Sequence, residues 1–205
     1  MLPELELLLP RRCAGCGAPG EVLCARCRTE LAAPPQRVSP RVESGVPVWA
    51  LGPYSETRRS VILAMKERGD RTVRRWVGAV LAAAVATLTA RGEVGEHPVL
   101  VPAPTAARSA RLRGGDPVTD ACRATGLPTA AVLSHARGVR DSVGLSPAAR
   151  RANLAGRGRL RGPVPAGELV LVDDVVTTGA TLAAACAKLT VAGAQVRGAL
   201  AFAAA

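Results

Sequence analysis

Asp173 and Asp174 stand side by side at the end of an apolar run, Leu169-Val-Leu-Val172. That run has the β-favouring, wholly apolar character of a strand buried on both faces, as in a parallel sheet. Ligands of open α/β sheets bind just beyond the C-terminal ends of such strands. Thr177, Thr178, Gly179, Ala180 and Thr181 follow, and then an Ala-rich helical pattern. A turn of this kind at a helix start offers backbone N–H groups, hydroxyls and the positive end of the macrodipole. Together these suit a phosphate. The two acids repel phosphate but accept hydrogen bonds from neutral hydroxyls. A ligand with a phosphate at one end and a vicinal diol at the other satisfies both, which describes a ribose 5-phosphate. The bland alternative is a buried strand ending in solvated acids, with a threonine as helix cap.

A second constellation lies near the N-terminus: Cys13-Ala-Gly-Cys16 and Cys24-Ala-Arg-Cys27. Two Cys-x-x-Cys pairs across a short loop have metal-ligand spacing, each pair presenting two thiolates to one ion. Zinc favours such closed four-thiolate sites, and four cysteines leave no open position for catalysis. Arg11, Arg12, Arg26 and Arg28 are at hand to offset the thiolate charge. Two disulfides or a redox pair are the rival readings; a cytoplasmic chain argues against the first, and the doubled motif against the second. Cys122 and Cys186 stand alone in apolar helical patterns and read as core residues.

The chain has 205 residues, room for one α/β domain and a small appendage. Aromatics are scarce (Trp49, Tyr54, Trp76, Phe202), so the core must be built of Ala, Val and Leu. The formal net charge is +11, and only Lys66 and Lys188 of the 27 cations are lysine. Such a surface favours anionic ligands and weak nucleic-acid binding, though no basic block is interleaved with aromatics to stack bases. The opening Met-Leu-Pro-Glu-Leu-Glu is acidic where a secretory signal needs basic residues. The apolar run Val77 to Leu88 is shorter than the roughly 20 residues that cross a bilayer. A soluble cytoplasmic chain without membrane association is expected. The sequence sets no oligomeric state.

The elements that must position these residues follow from periodicity and punctuation. Residues 1–33 read as the cysteine module and 34–47, with Pro34, Pro35, Pro40 and Pro47, as a linker. Residues 48–205 read as the α/β domain. Strands are expected at 46–54, 99–102, 130–134, 169–172 and 195–202. Helices are expected at 58–68, 76–89, 117–124, 146–154 and 181–191, with Ser55 or Thr57 capping the first and Gly193 closing the last. Pro102, Ala103, Pro104 and Thr105 end a strand in a tight loop, because the prolines lack an N–H for pairing. Arg108, Arg111 and Arg113 follow and have the fork geometry for a pyrophosphate, or are simply solvated. Lys66, in a chain that prefers arginine, marks either a need for a compact ammonium or an ordinary cation in a helix's last turn. The basic stretch 138–167 between two strands has the character of a lid.

The acid pair with its hydroxyl turn resembles the binding motif of the type I phosphoribosyltransferases, whose substrate is phosphoribosyl pyrophosphate (PRPP). More of the chain resembles the ComF family. The carriers are the double Cys-x-x-Cys, Val-Pro-Ala-Pro at 101–104 with Arg108, Arg111, Arg113 and Gly114, Gly144-Leu-Ser146 with Arg150, Arg151 and Asn153, and the motif at 172–181. The chain departs from the family's Arg-Gly-Phe-Asn-Gln, having Arg113-Gly-Gly-Asp-Pro117, and has Ser142 where a Gln is common. The resemblance implies a type I phosphoribosyltransferase-like parallel sheet flanked by helices, with a small N-terminal zinc module of four cysteines. It implies PRPP bound by Asp173, Asp174 and Thr177 to Thr181, and pyrophosphate met by Pro102 to Thr105, Arg108 and Lys66. Magnesium would accompany the PRPP, and the phosphoribosyl group would pass to an acceptor that the family does not define. The family's link to DNA uptake implies work on single-stranded DNA with competence, helicase or recombination partners. A non-catalytic accessory protein of that machinery is the alternative reading.

Overall fold

Burial on both faces is what sorts the strands. In the computed structural model, which describes residues 11–67, 71–103, 115–135 and 158–205, seven strands form two sheets. The strands are β1 (Gln36–Val38), β2 (Val48–Ala50), β3 (Val99–Pro102), β4 (Leu133–His135), β5 (Gly158–Leu160), β6 (Glu168–Val176) and β7 (Gln195–Ala204). The main sheet runs β1-β2-β7-β6-β3, and only the β1–β2 pair is antiparallel. Its middle is the apolar run Leu169 to Val172, fully buried as its composition requires. The chain is therefore mixed α/β, with a mostly parallel central sheet flanked by helices.

Among the described residues five helices accompany the sheets: α1 (Ala25–Leu31), α2 (Glu56–Glu67), α3 (Arg71–Ala90), α4 (Pro117–Ala124) and α5 (Ala180–Val191). Side chains of a strand alternate between faces, and two core clusters follow from this. Val170 and Val172 pack with Val61, Ile62 and Met65 of α2, Val77 and Leu81 of α3, and Cys122 of α4. Leu169 and Leu171 pack with Leu182, Cys186 and Leu189 of α5. Cys122 and Cys186 are thus core residues, and burial pushes their thiols up to about 12 and about 11. By length and composition α3 is long and apolar enough to cross a bilayer, which the run Val77 to Leu88 alone is not. Here its Val73, Val77, Leu81, Ala84, Val85 and Leu88 lie in the core.

Several expected bounds shift for physical reasons. The strand expected at 169–172 continues through both acids to Val176, because β7 keeps pairing with it up to Val176↔Ala204. The strand expected at 130–134 splits. Thr129 makes a lone parallel bridge to Leu100, while Leu133–His135 turns away to pair antiparallel with β5. The helix expected from Trp76 begins at Arg71, its polar first turn hiding the start from an apolar pattern. Gln36–Val38, inside the proline-punctuated 34–47 stretch, pairs with β2 as an edge strand. The α4 bounds are as expected, with Asp116 accepting from the N–H groups of Val118 and Thr119 and Pro117 in the first turn. The one or two helical turns expected at Leu2 to Leu9, the close at Gly69 of the helix expected at 58–68, the helix expected at 146–154 and most of the lid-like stretch 138–167 lie outside the described residues, while Gly158–Leu160 at the end of that stretch is β5.

The cysteine-bearing segment joins the same core. Cys13, Leu23, Cys27 and Leu31 pack in the cluster that holds Trp49 and Met65. Arg58, 3% exposed, ties the two parts together. Its Nη2 donates to the carbonyls of Leu51 (2.7 Å) and Glu30 (2.8 Å), and its Nη1 lies 3.7 Å from the Glu30 carboxylate. Arg28 lies over the Trp76 ring, 4.5 Å from its centroid, and pairs with Glu21 at 2.7 Å. Replacing Arg58 by Met leaves two buried carbonyls without a donor. That substitution is expected to cost about 2–4 kcal/mol, read as a lower urea midpoint. An unchanged midpoint would show that the tie contributes nothing to stability.

Candidate functional site

The order of the strands reverses between β3 and β6. After β3 the chain crosses one face through α4 and returns at Thr129, outside β3. After β6 it crosses the other face through α5 and returns as β7. Such a reversal opens a crevice at the C-terminal ends of the two strands, the usual ligand position in open α/β sheets. Here β3 ends at Pro102, opposite Val172, and the Ala103 N–H closes the pairing on the Val172 carbonyl at 2.7 Å. The next two residues of β6 are Asp173 and Asp174, and β3 no longer covers that side of the strand.

Alternation separates the two acids. Asp174 shares the parity of Val170 and Val172, on the face of α2, and there it meets the ammonium of Lys66 in the last turn of α2. Asp173 shares the parity of Leu169 and Leu171. Its Oδ1 accepts from the Asp174 N–H at 2.8 Å, as the Asp174 carboxylate does from the Val175 N–H at 2.8 Å. Burial first, and then the Asp174 charge, push the Asp173 carboxyl up to about 8, against the opposing pull of that N–H and of Lys66. At neutral pH Asp173 is therefore largely a neutral acid, able to donate as well as accept a hydrogen bond.

Beyond β6, residues 177–179 bend and α5 begins. Gly179 is the N-cap with φ 82° and has no side chain to cap the helix, while Thr178 Oγ1 accepts from the Ala180 N–H at 3.4 Å, leaving the next N–H groups free of side-chain caps. Its first-turn N–H groups therefore look outward for acceptors, beside the exposed Thr177, Thr178 and Thr181. The bend is braced from outside. Val42 donates its N–H to the Thr178 carbonyl at 2.8 Å. A Cβ at Gly179 would lie 2.5 Å from Pro40 Cβ and 2.8 Å from the Val42 carbonyl oxygen. Only glycine fits there, for its backbone angle and for the close approach.

The structure thus brings Asp173, Asp174, Lys66, Pro102 and Ala103 to one end of the sheet, and starts α5 in the turn that follows the acids. Pro104, Thr105 and Arg108, and with them Arg111 and Arg113, lie outside the described residues. Sequence reasoning missed Pro40 and Val42, whose stretch read as a linker. It noticed Lys66 by its rarity but had no signal for its partner.

The second site is the cysteine cluster. The Sγ atoms of Cys13, Cys16, Cys24 and Cys27 all lie within 4.8 Å of one another, and Cys16 and Cys24 are 3.7 Å apart. An ion bonded at about 2.3 Å to four sulfurs in a tetrahedron needs sulfur separations of about 3.8 Å. All six cysteines of the chain are free, which sets the disulfide reading aside. The first knuckle turns tightly, with Gly17 donating to the Cys13 carbonyl at 2.7 Å. Gly15 is obligatory, since a Cβ there would sit 2.8 Å from Cys27 Sγ. Burial works against ionising Cys13, yet the backbone N–H groups of Cys24, Cys16 and Gly15 hold its thiol down at about 6. Burial, with the neighbouring cysteines, raises that of Cys27. Four thiols this close ionise together only around a cation, so the donor set fits a metal such as zinc. Of the arginines expected nearby, Arg26 is held more firmly protonated by the neighbouring Cys16, while Arg28 is engaged with Glu21 and Trp76.

No protein-family model matches the chain, and no curated protein matches it.

Two outcomes follow from these sites. The purified chain is expected to carry about one zinc per molecule. Cys16→Ser should lower that content severalfold and expose the amides of Leu23 and Leu31 to hydrogen exchange. A metal-free chain whose four thiols all react with a thiol reagent would contradict the site. The second outcome concerns pH. The Asp173 carboxyl is raised from 3.8 to about 8 on folding, so the folded chain holds this proton more tightly than the unfolded one. Its contribution to stability is complete below about pH 4 and is lost as pH rises through 8. Asp173→Asn removes that loss, so its urea midpoint should gain on wild type steadily from pH 5 to pH 9. Parallel pH profiles would mean that Asp173 titrates normally.

Proposed function

We propose that this chain is a phosphoribosyltransferase-like protein that binds PRPP or a related ribose 5-phosphate ligand at the β3–β6 crevice. One observation carries the reading: a partly buried acid pair at a strand-order reversal, followed directly by a helix start that has glycine at its N-cap and three exposed threonines beside it. Neutral hydroxyls suit the acids, and a phosphate suits the helix start. The same reading extends to the ComF resemblance, with the cysteine cluster as a structural zinc site and a role connected with DNA uptake.

The proposed reaction transfers the phosphoribosyl group to an acceptor. The bond from the anomeric carbon to pyrophosphate breaks, and the sugar passes through an oxocarbenium-like state that the acceptor then captures. Asp173, ionised once the ribose hydroxyls donate to it, and Asp174 hold those hydroxyls and place negative charge near the developing cation. Residues 177–181 fix the 5′-phosphate and so supply orientation rather than proton transfer. The loop that opens at Pro102 and Ala103 receives the pyrophosphate, with Lys66 close by on Asp174. Magnesium, arriving with PRPP, would neutralise the leaving pyrophosphate.

Calorimetric titration of the zinc-loaded protein with PRPP and magnesium tests this. Saturable binding is expected in wild type. Asp173→Ala should weaken it by about 10- to 100-fold through lost charge-assisted hydrogen bonds, with the fold intact by circular dichroism. A variant that titrates like wild type would remove Asp173 from the site. Failure of wild type to bind would remove the reading.

A further inference from the structure

A second feature of the molecule works against its own stability. Arg71, Arg74 and Arg75 lie in the first two turns of α3, which has no acidic residue in its first turn. Cations at the positive end of a helix, and like charges one turn apart on one face, both disfavour the helix. The three guanidinium groups line a cavity of about 300 Å³ whose other walls are Gly115, Asp120 and Ala124. Arg74 is 3% exposed and fully engaged, donating through Nε to the Met65 carbonyl at 3.2 Å and through Nη1 to Asp120 at 2.6 Å. Asp120, the acid among the described lining residues, is thereby neutralised. Arg71 and Arg75 are exposed and make no ion pair with any described residue. The cavity therefore presents two forks that no described carboxylate answers, over a floor fixed by the partly buried Arg74–Asp120 pair, with small side walls at Gly115 and Ala124.

We propose that this cavity is a second oxyanion site, which takes a phosphate group through Arg71 and Arg75 with Arg74 as its rigid floor. It is separate from the acid pair and independent of the PRPP reading. The two are nevertheless neighbours, because Arg74 is bonded to Met65, and the next residue, Lys66, holds Asp174. The phosphate taken here comes either from a small phosphate ester or from the backbone of a nucleic-acid strand. Two arginine forks suit the bidentate geometry that either source presents.

The test follows the arginine Nε–H signals of the full zinc-loaded chain during titration with inorganic phosphate. The signals of Arg71, Arg74 and Arg75 are expected to shift saturably with one common Kd, while those of Arg159 and Arg161 stay put. In the Arg71→Ala/Arg75→Ala variant the Arg74 signal should respond at least about tenfold more weakly. Asp173→Ala should leave all these shifts unchanged, so failure of the PRPP site and failure of this one are separately visible. A single-stranded oligothymidylate displacing phosphate with a steep salt dependence would identify the source as nucleic acid. Phosphate binding without competition by the strand would identify a small ester. The absence of saturable shifts, shifts shared equally by Arg159 and Arg161, or an undiminished Arg74 response in the double variant would overturn the proposal.

Discussion

The constraint on which the rest depends is the position of two adjacent carboxylates on a strand buried on both faces. Up to Val172 the sheet takes nothing but aliphatic side chains from the run that begins at Leu169 of β6. One residue later β3 has ended, and a charge can be tolerated because β3 no longer pairs along that side of the strand. Even so, burial and mutual repulsion keep Asp173 from ionising at its usual pH. Lys66 answers the other half of the pair by neutralising Asp174 from the facing helix. The arrangement holds only if α2 ends beside β6, and Arg58 fixes the start of that helix against β2 and the cysteine-bearing segment. Serving as anchor at one end and cation at the other, α2 links the two candidate sites mechanically.

The cysteine cluster belongs to the same interior. A chain with four aromatic residues has few large side chains to fill a core. Trp49 and Phe202 lie in the interior, and Cys13 and Cys27 pack into the same cluster. Trp76 is held under Arg28 at the edge of the module. A metal held by the four sulfurs would therefore stabilise not only two knuckles but also the ground on which α2 stands. Binding free energy of a metal at such a site acts as folding free energy.

Much of the fold was legible because its signals are local. The apolar run at 169–172, the proline-ended strand at 99–102 and the Asp116-Pro117 helix start each announce themselves within a few residues. The cysteine spacing likewise predicts convergence, and the sulfurs do converge. What was not legible depends on partners distant in sequence. β6 runs on to Val176 because β7 is long enough to pair with it, and nothing in Asp173-Asp174-Val-Val announces this. Pro40 and Val42 brace the Thr178 turn from a stretch whose prolines read as a linker. The rarity of lysine marked Lys66 as unusual, but only the packing of α2 shows that it meets Asp174. Nothing local singles out the arginines opening α3, and only the packing of α4 sets Asp120 and Ala124 opposite them.

The proposed site requires an Asp173 carboxyl that stays neutral until a ligand with hydroxyl donors reaches the crevice. Carbon-13 NMR of the Asp173 carboxyl, followed against pH, tests it most directly. A midpoint near 8 is predicted in the free protein. On addition of ribose 5-phosphate the midpoint should fall, since hydrogen bonds from hydroxyls favour the charged form. A midpoint near the ordinary value of 3.8, or one that ribose 5-phosphate leaves unmoved, would contradict it.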